Sequence, residues 1–262
     1  MVSKDIKDLL DSEAKRINSI EFIDDDPVQF PHRFSDLRDI EISSLLCASI
    51  AWGNRKMICR DCNKMLALMD NDPYAYMMDR GYEDLPDELN IHRTFFARNL
   101  KHFLRGLEKI YSEHGSLHDF ARKCRIDLAT HPSWSLVENI NAVLADANSG
   151  KGDSRCLPLN METTALKRVN MALRWLVRND GIVDLGVWDV IKPAQLYIPL
   201  DVHVGNVARS LELIDRKAND RKTVEQLTSI LREMRPDDPV FYDFALFGIG
   251  MESKSPQPNN QR

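Results

Sequence analysis

The 262-residue chain contains no apolar run approaching the length of a membrane span. Its opening, MVSKDIKDLLDSEAKRI, is charged where a secretory leader would need an apolar core. No membrane role is expected, and a cytoplasmic protein is. Cysteine is scarce and odd in number, at Cys47, Cys59, Cys62, Cys124 and Cys156, which argues against a disulfide framework in a chain this long. Cys59 and Cys62 form one C-x-x-C with no second pair, and His92 and His102 have no ligand company. A four-ligand zinc site is therefore not expected, and neither a metal nor a cofactor is. Period-two alternation is nearly missing; GIVDLGVW, residues 181–188, is the one short strand candidate. An excess of positive charge is missing too. The net charge of -5 weighs weakly against a nucleic-acid partner unless the cations gather on one face.

Helical periodicity fills the space these absences leave. Ile6, Leu9, Leu10, Ala14 and Ile17 share one face of a helix over 4–17, with Ser3 as its cap. Further helices are expected over 39–52, ending at Gly53, and over 55–69, 94–112, 136–147 and 164–178. TVEQLTSILREMRP opens with a capping-box pattern, and DDPVFYDFALFGIG places Pro239 at a first helical position after Asp238. The expected fold is all-α: one helical domain over 1–262, built of two interlocked lobes. A lobe boundary fits the loop ANSGKGDSRCLPLN near 147–160, and the polar tail from about 252 is expected to fray.

Two segments carry candidate chemistry. In TTALKRVNMALRWLVRN, Lys167, Met171, Arg174 and Arg178 fall on one helical face opposite an apolar one. Solvated helix faces normally mix signs, so a stripe of one sign suits an anionic backbone. In YIPLDVHVGNVARSL, Pro199 keeps the preceding residue extended and Asp201 stands where a helix begins. Asp is a good N-cap, so capping alone accounts for it. Lys167 likewise reads as an ordinary surface lysine, and His203 as a hydrogen-bonded helix residue. Trp52 and Trp175 read as core or interface aromatics rather than base-stacking platforms.

IPLDVHVGNVARSLELI resembles the segment of the helix-hairpin-helix (HhH-GPD) DNA glycosylases that holds their catalytic Asp, where a His or similar residue follows two positions on. The helix upstream bears a catalytic Lys in the bifunctional members, and Lys167 lies in the matching helix. SLLCASIAWGNRK is similar to their early helix-loop whose polar residue fills the hole left by an extruded base; Asn54 occupies that position. The matches run in order from about Ser43 to Leu213.

The likeness implies a two-lobed helical glycosylase fold with an atypical hairpin, because LPLNMETTALKR has no glycine where the common members have Gly-x-Gly. Asp201 follows Lys167 by 34 positions, closest in layout to the archaeal branch that removes oxidised guanine. The four-Cys iron–sulfur motif of the endonuclease III branch is missing. The implied activity is base-excision DNA repair: an N-glycosylase with lyase activity on a damaged base, oxidised guanine among the candidates. Lys167 and Asp201 would be catalytic; Asn54, Arg55, Lys56, Arg174, Arg178 and His203 would bind duplex DNA. The alternative is a non-catalytic helical module that binds nucleic acid or protein.

Overall fold

Capping side chains fix where most helices begin. In the computed structural model, which describes residues 2–252, Ser3 caps α1 (Lys4–Ile17), Asp36 caps α3 (Leu37–Ser49) and Asn54 caps α4 (Arg55–Leu68). Each accepts a backbone N–H that the first turn leaves unpaired. A short α2 (Ile20–Asp24) precedes α3. Asp72 and Pro73 start α5 (Pro73–Met78), and Ser116 caps α7 (Leu117–Lys123). Between them lie a small antiparallel ribbon, β1 (Asn90–His92) with β2 (Phe95–Phe96), and the long α6 (Ala97–His114). The order then runs α8 (Pro132–Ala147), α9 (Lys167–Val177), α10 (Val202–Ser210), α11 (Arg221–Met234) and α12 (Tyr242–Glu252). The protein is all-α apart from that ribbon, as its periodicity predicts.

The differences from the sequence reading have local causes. The helix predicted from 164 starts at Lys167, because Leu166 sits in the left-handed region at φ 49° and cannot continue a helix. The helix predicted over 94–112 starts at Ala97, since Phe95 and Phe96 pair with β1. The segment 181–188 is not a strand. Its Leu185 and Trp188 N–H groups donate to the Trp175 and Leu176 carbonyls at 2.8 Å each, so it straps the open C-terminal end of α9. The expected tail lies, from 253 on, outside the described residues.

The buried apolar side chains form one contiguous core. α1 packs on α12, which also receives α10; α3 packs on α9 and α6 on α8. α12 thus lies between α1 and α10, and lines the cleft onto which the first turns of α9 and α10 open.

Candidate active site

A cleft of about 710 Å³ opens among α2, the α3–α4 turn, the starts of α9 and α10, and α12. That volume falls within the roughly 300–1,000 Å³ range of small-molecule sites. Lys167 and Asp201 both line it, with Asn54, Arg55 and His203.

Asp201 reaches the cleft because the chain before α10 is pinned. Ile198 and Leu200 are buried, and the Ile198 N–H donates to Thr228 Oγ1 at 3.1 Å. Asp201 then caps α10, its Oδ1 accepting from His203 N at 2.8 Å and Val204 N at 2.9 Å. Among the described residues Asp201 has no ion pair, and Oδ2 accepts none of the described hydrogen bonds. Gly205, one turn on, lets the 216–219 segment approach: a Cβ there would lie 2.6 Å from Asn219 Oδ1. Asn219 in turn donates to the Asp201 carbonyl at 3.4 Å.

Lys167 is half-buried, and its ammonium lies 3.6 Å from Met171 Sδ with no carboxylate bound to it among the described residues. The wall beside it is aromatic and cationic. The Arg168 guanidinium donates to the Ser49 carbonyl and lies 5.1 Å from the Trp52 ring, itself half-buried on the cleft. Trp52 is held from behind by His92, whose ring meets it edge-on at 4.7 Å. One His92 nitrogen engages the Trp52 carbonyl at 2.9 Å and the other engages Asp61 at 2.7 Å. The Trp52 ring therefore belongs to the site's wall rather than to the core alone. Gly53 follows at φ +107°, a left-handed turn that glycine adopts without strain. The exposed Asn54 comes next, its Oδ1 capping α4 through Met57 N at 3.3 Å.

The expected basic surface is not what the structure holds. Arg174 and Arg178 are 4% and 2% exposed. Arg174 donates to Asp184 at 3.2 Å and to Asp243; Arg178 donates to Asp184 at 2.5 Å, Asp180 at 2.8 Å and Asp238 at 2.9 Å. Releasing either guanidinium to a phosphate would leave buried carboxylates uncompensated, at a cost of several kcal/mol. Both belong to the folded framework, and the assignment of Arg174 and Arg178 to DNA binding is corrected. Arg55 is also committed, to Asp26 at 2.8 Å and over the Phe22 and Phe247 rings. Lys56 is exposed and has no ion pair among the described residues, but does not line the cleft. His203 is exposed at the rim.

Asp243 is the cleft residue that sequence reasoning missed. It is buried at the floor, held by Arg174, and burial pushes its carboxyl up to about 6; the nearby Asp201 charge pushes the same way, while Arg174 and Lys167 oppose. A signal was available: in FYDFALFG the Asp is a lone charge within an apolar helix, and such a charge needs a buried partner. The consequence is measurable. A folded-state pKa above the ordinary 3.8 means that the folded protein binds this proton first. Asp243 therefore favours folding more as pH falls from 7 through 6 toward 4. Relative to Asp243→Asn, which cannot titrate, the wild type should gain stability over that window, on the order of 3 kcal/mol at full effect. Denaturant midpoints of both proteins between pH 4 and 7 check this; parallel profiles would exclude it.

The C-x-x-C thiols do not enter the site. Cys62 is fully buried and Cys59 half-buried, and burial pushes the Cys59 thiol up to about 11, away from the reactive thiolate. Among the described residues, no group of three or more His, Cys, Asp or Glu is arranged to hold a metal.

A family model described as "Protein of unknown function (DUF2400)" matches residues 26–252, which takes in the cleft described above except for Phe22 of α2. No curated protein and no solved structure matches the chain.

Proposed function

The chain belongs to this DUF2400 family, and from its cleft we propose that it is a DNA N-glycosylase with lyase activity, excising a damaged base in the manner of the helix-hairpin-helix enzymes. The observation that supports the reading is that Lys167 and Asp201, 34 positions apart and on different helices, line one cleft with Asn54 at its rim.

The residue types suit the reaction. As the neutral amine, Lys167 Nζ attacks the sugar C1′, and the bond from C1′ to the base breaks with its electron pair leaving on the base, which takes up a proton. Positive charge grows on the sugar as that bond stretches, and the Asp201 carboxylate stabilises it and accepts the proton the amine gives up. Opening of the sugar ring releases O4′ as a hydroxyl and leaves a C1′=N imine. Loss of the acidified C2′ proton to a general base then forms the C2′=C3′ double bond as the C3′–O bond breaks, and the departing 3′ phosphate cuts the strand. The base must leave the stack to enter the cleft, and Asn54 would stand in the gap. Oxidised guanine is the substrate class the chain's layout favours.

One observation favours the quieter reading, a module that binds without chemistry: Asp201 and Asn54 both cap helices, a structural task sufficient to explain them. Reductive trapping of the imine on a duplex carrying 8-oxoguanine separates the two.

A further inference from the structure

With Arg174 and Arg178 locked in the interior, the cations free to meet a polyanion lie elsewhere. Lys56, Arg60 and Lys64 are all exposed and stand one turn apart on α4, roughly 6 Å between successive positions along the helix. The row begins two residues after Asn54, at the mouth of the cleft. The β1–β2 turn extends it sideways. Lys64 Nζ donates to the Asn90 carbonyl at 2.6 Å, and the Arg93 guanidinium presses on Gly53, 2.6 Å from where a Cβ would sit. Exposed Arg155 donates to Thr94 Oγ1 at 2.9 Å.

What distinguishes this group from the cations of α6 is its lack of counter-charge. Among the described residues Lys56 and Arg93 have no carboxylate partner, and Lys64 and Arg155 bond neutral oxygens. Arg60 pairs with Asp61, which is buried and shared with His92. The cations of neighbouring α6 are neutralised: Arg98 by Glu88 at 2.7 Å, Lys101 by Asp87 at 2.8 Å and Arg105 by Glu83 at 2.5 Å. In a chain of net charge -5, Lys56, Lys64, Arg93 and Arg155 thus bring four exposed cations without a carboxylate partner among the described residues to one side of the cleft mouth.

We propose that the outer face of α4 and the β1–β2 turn form the track for a nucleic-acid phosphate backbone, delivering the strand to the cleft past Asn54. The proposal rests on reading the cleft as a site that acts on DNA. Each phosphate neutralised by Lys or Arg releases counterions, so three contacts account for about 2.7 of the slope of log affinity against log salt on a duplex.

The test compares three full-length proteins binding an undamaged duplex across a salt series. They are the wild type, a track variant (Lys56→Ser, Lys64→Ser, Arg93→Ser) and a control of equal charge change at exposed sites elsewhere (Lys4→Ser, Lys217→Ser, Lys222→Ser). The track variant should lose about 2.7 from the slope and the control should keep the wild-type slope. Equal slopes in both variants would overturn the track, as would a wild type that binds anionic phospholipid vesicles and no DNA. A reduced slope together with no trappable adduct keeps the track and removes the chemistry. An adduct with an unchanged slope does the reverse.

Discussion

Replacing Asp201 by Asn is expected to lower single-turnover base excision by on the order of 10²–10³-fold while moving stability by less than about 1 kcal/mol. The asymmetry follows from the two tasks of one side chain. The cap needs only an acceptor at Oδ1 for His203 N and Val204 N, and Asn supplies one. The chemistry needs the negative charge, which Asn lacks. Asp220 provides the control. It caps α11 through Thr223 N at 3.0 Å and pairs with Arg216, away from the cleft. Asp220→Asn should therefore leave the excision rate alone. If Asp201→Asn excised at the wild-type rate, Asp201 would be a cap and nothing more.

The largest expected effect on stability lies at Glu41. Its side chain is fully buried on α3 without a cationic partner among the described residues. Four donors hold it: Tyr111 Oη at 2.8 Å, Leu117 N at 2.9 Å, His118 N at 2.8 Å and Trp188 Nε1 at 2.8 Å. They come from α6, the first turn of α7 and the strap after α9, so one carboxylate joins four parts of the chain. Burial raises its pKa although all four donors work against that. Glu41→Ala leaves those donors buried and unpaired, each at about 1–3 kcal/mol, so a loss of about 4 kcal/mol or more is expected. Glu41→Gln should lose less: its carbonyl oxygen still accepts, but its amide turns donors toward donors. Denaturant unfolding decides; a loss below 1 kcal/mol for Glu41→Ala would show that water or rearrangement satisfies the donors.

Glu41 also shows where sequence reasoning stops. In RDIEISSLLCAS it is a charge in an apolar helix, and nothing local tells how deeply it is covered; every residue from Ile40 to Ser49 is buried. Periodicity locates helices from local spacing, but it does not say how many neighbours will cover one. α3 is covered by α9 and by segments before and after it. The same limit explains Arg174 and Arg178. Their spacing with Lys167 is real, but the acids that cancel them, Asp184, Asp238 and Asp243, come from distant or irregular segments. The track was legible only at Lys56, because GNRKMICR, the hairpin cation Arg93 and Arg155 of the loop after α8 are separate in sequence. By contrast, the helix starts at Asp201 and Asn54 were legible, and that beside Lys167 to within three residues. Each of these residues stands at or beside a helix start, where capping and backbone-breaking signals are local.

The most direct test of the account is whether the amine of Lys167 becomes bonded to DNA. The wild-type protein is incubated with a duplex carrying 8-oxoguanine, with borohydride present, and the products are separated under denaturing conditions. Hydride reduces a C1′=N imine to a stable amine, so a protein–DNA adduct should accumulate, and peptide mapping should place it on Lys167. Lys167→Gln should give no adduct yet fold normally, since the lysine contacts Met171 and no carboxylate among the described residues. An adduct mapped to another residue, or none from wild-type protein on duplexes bearing oxidised, deaminated or alkylated bases or an abasic site, would contradict the lyase mechanism proposed for this cleft.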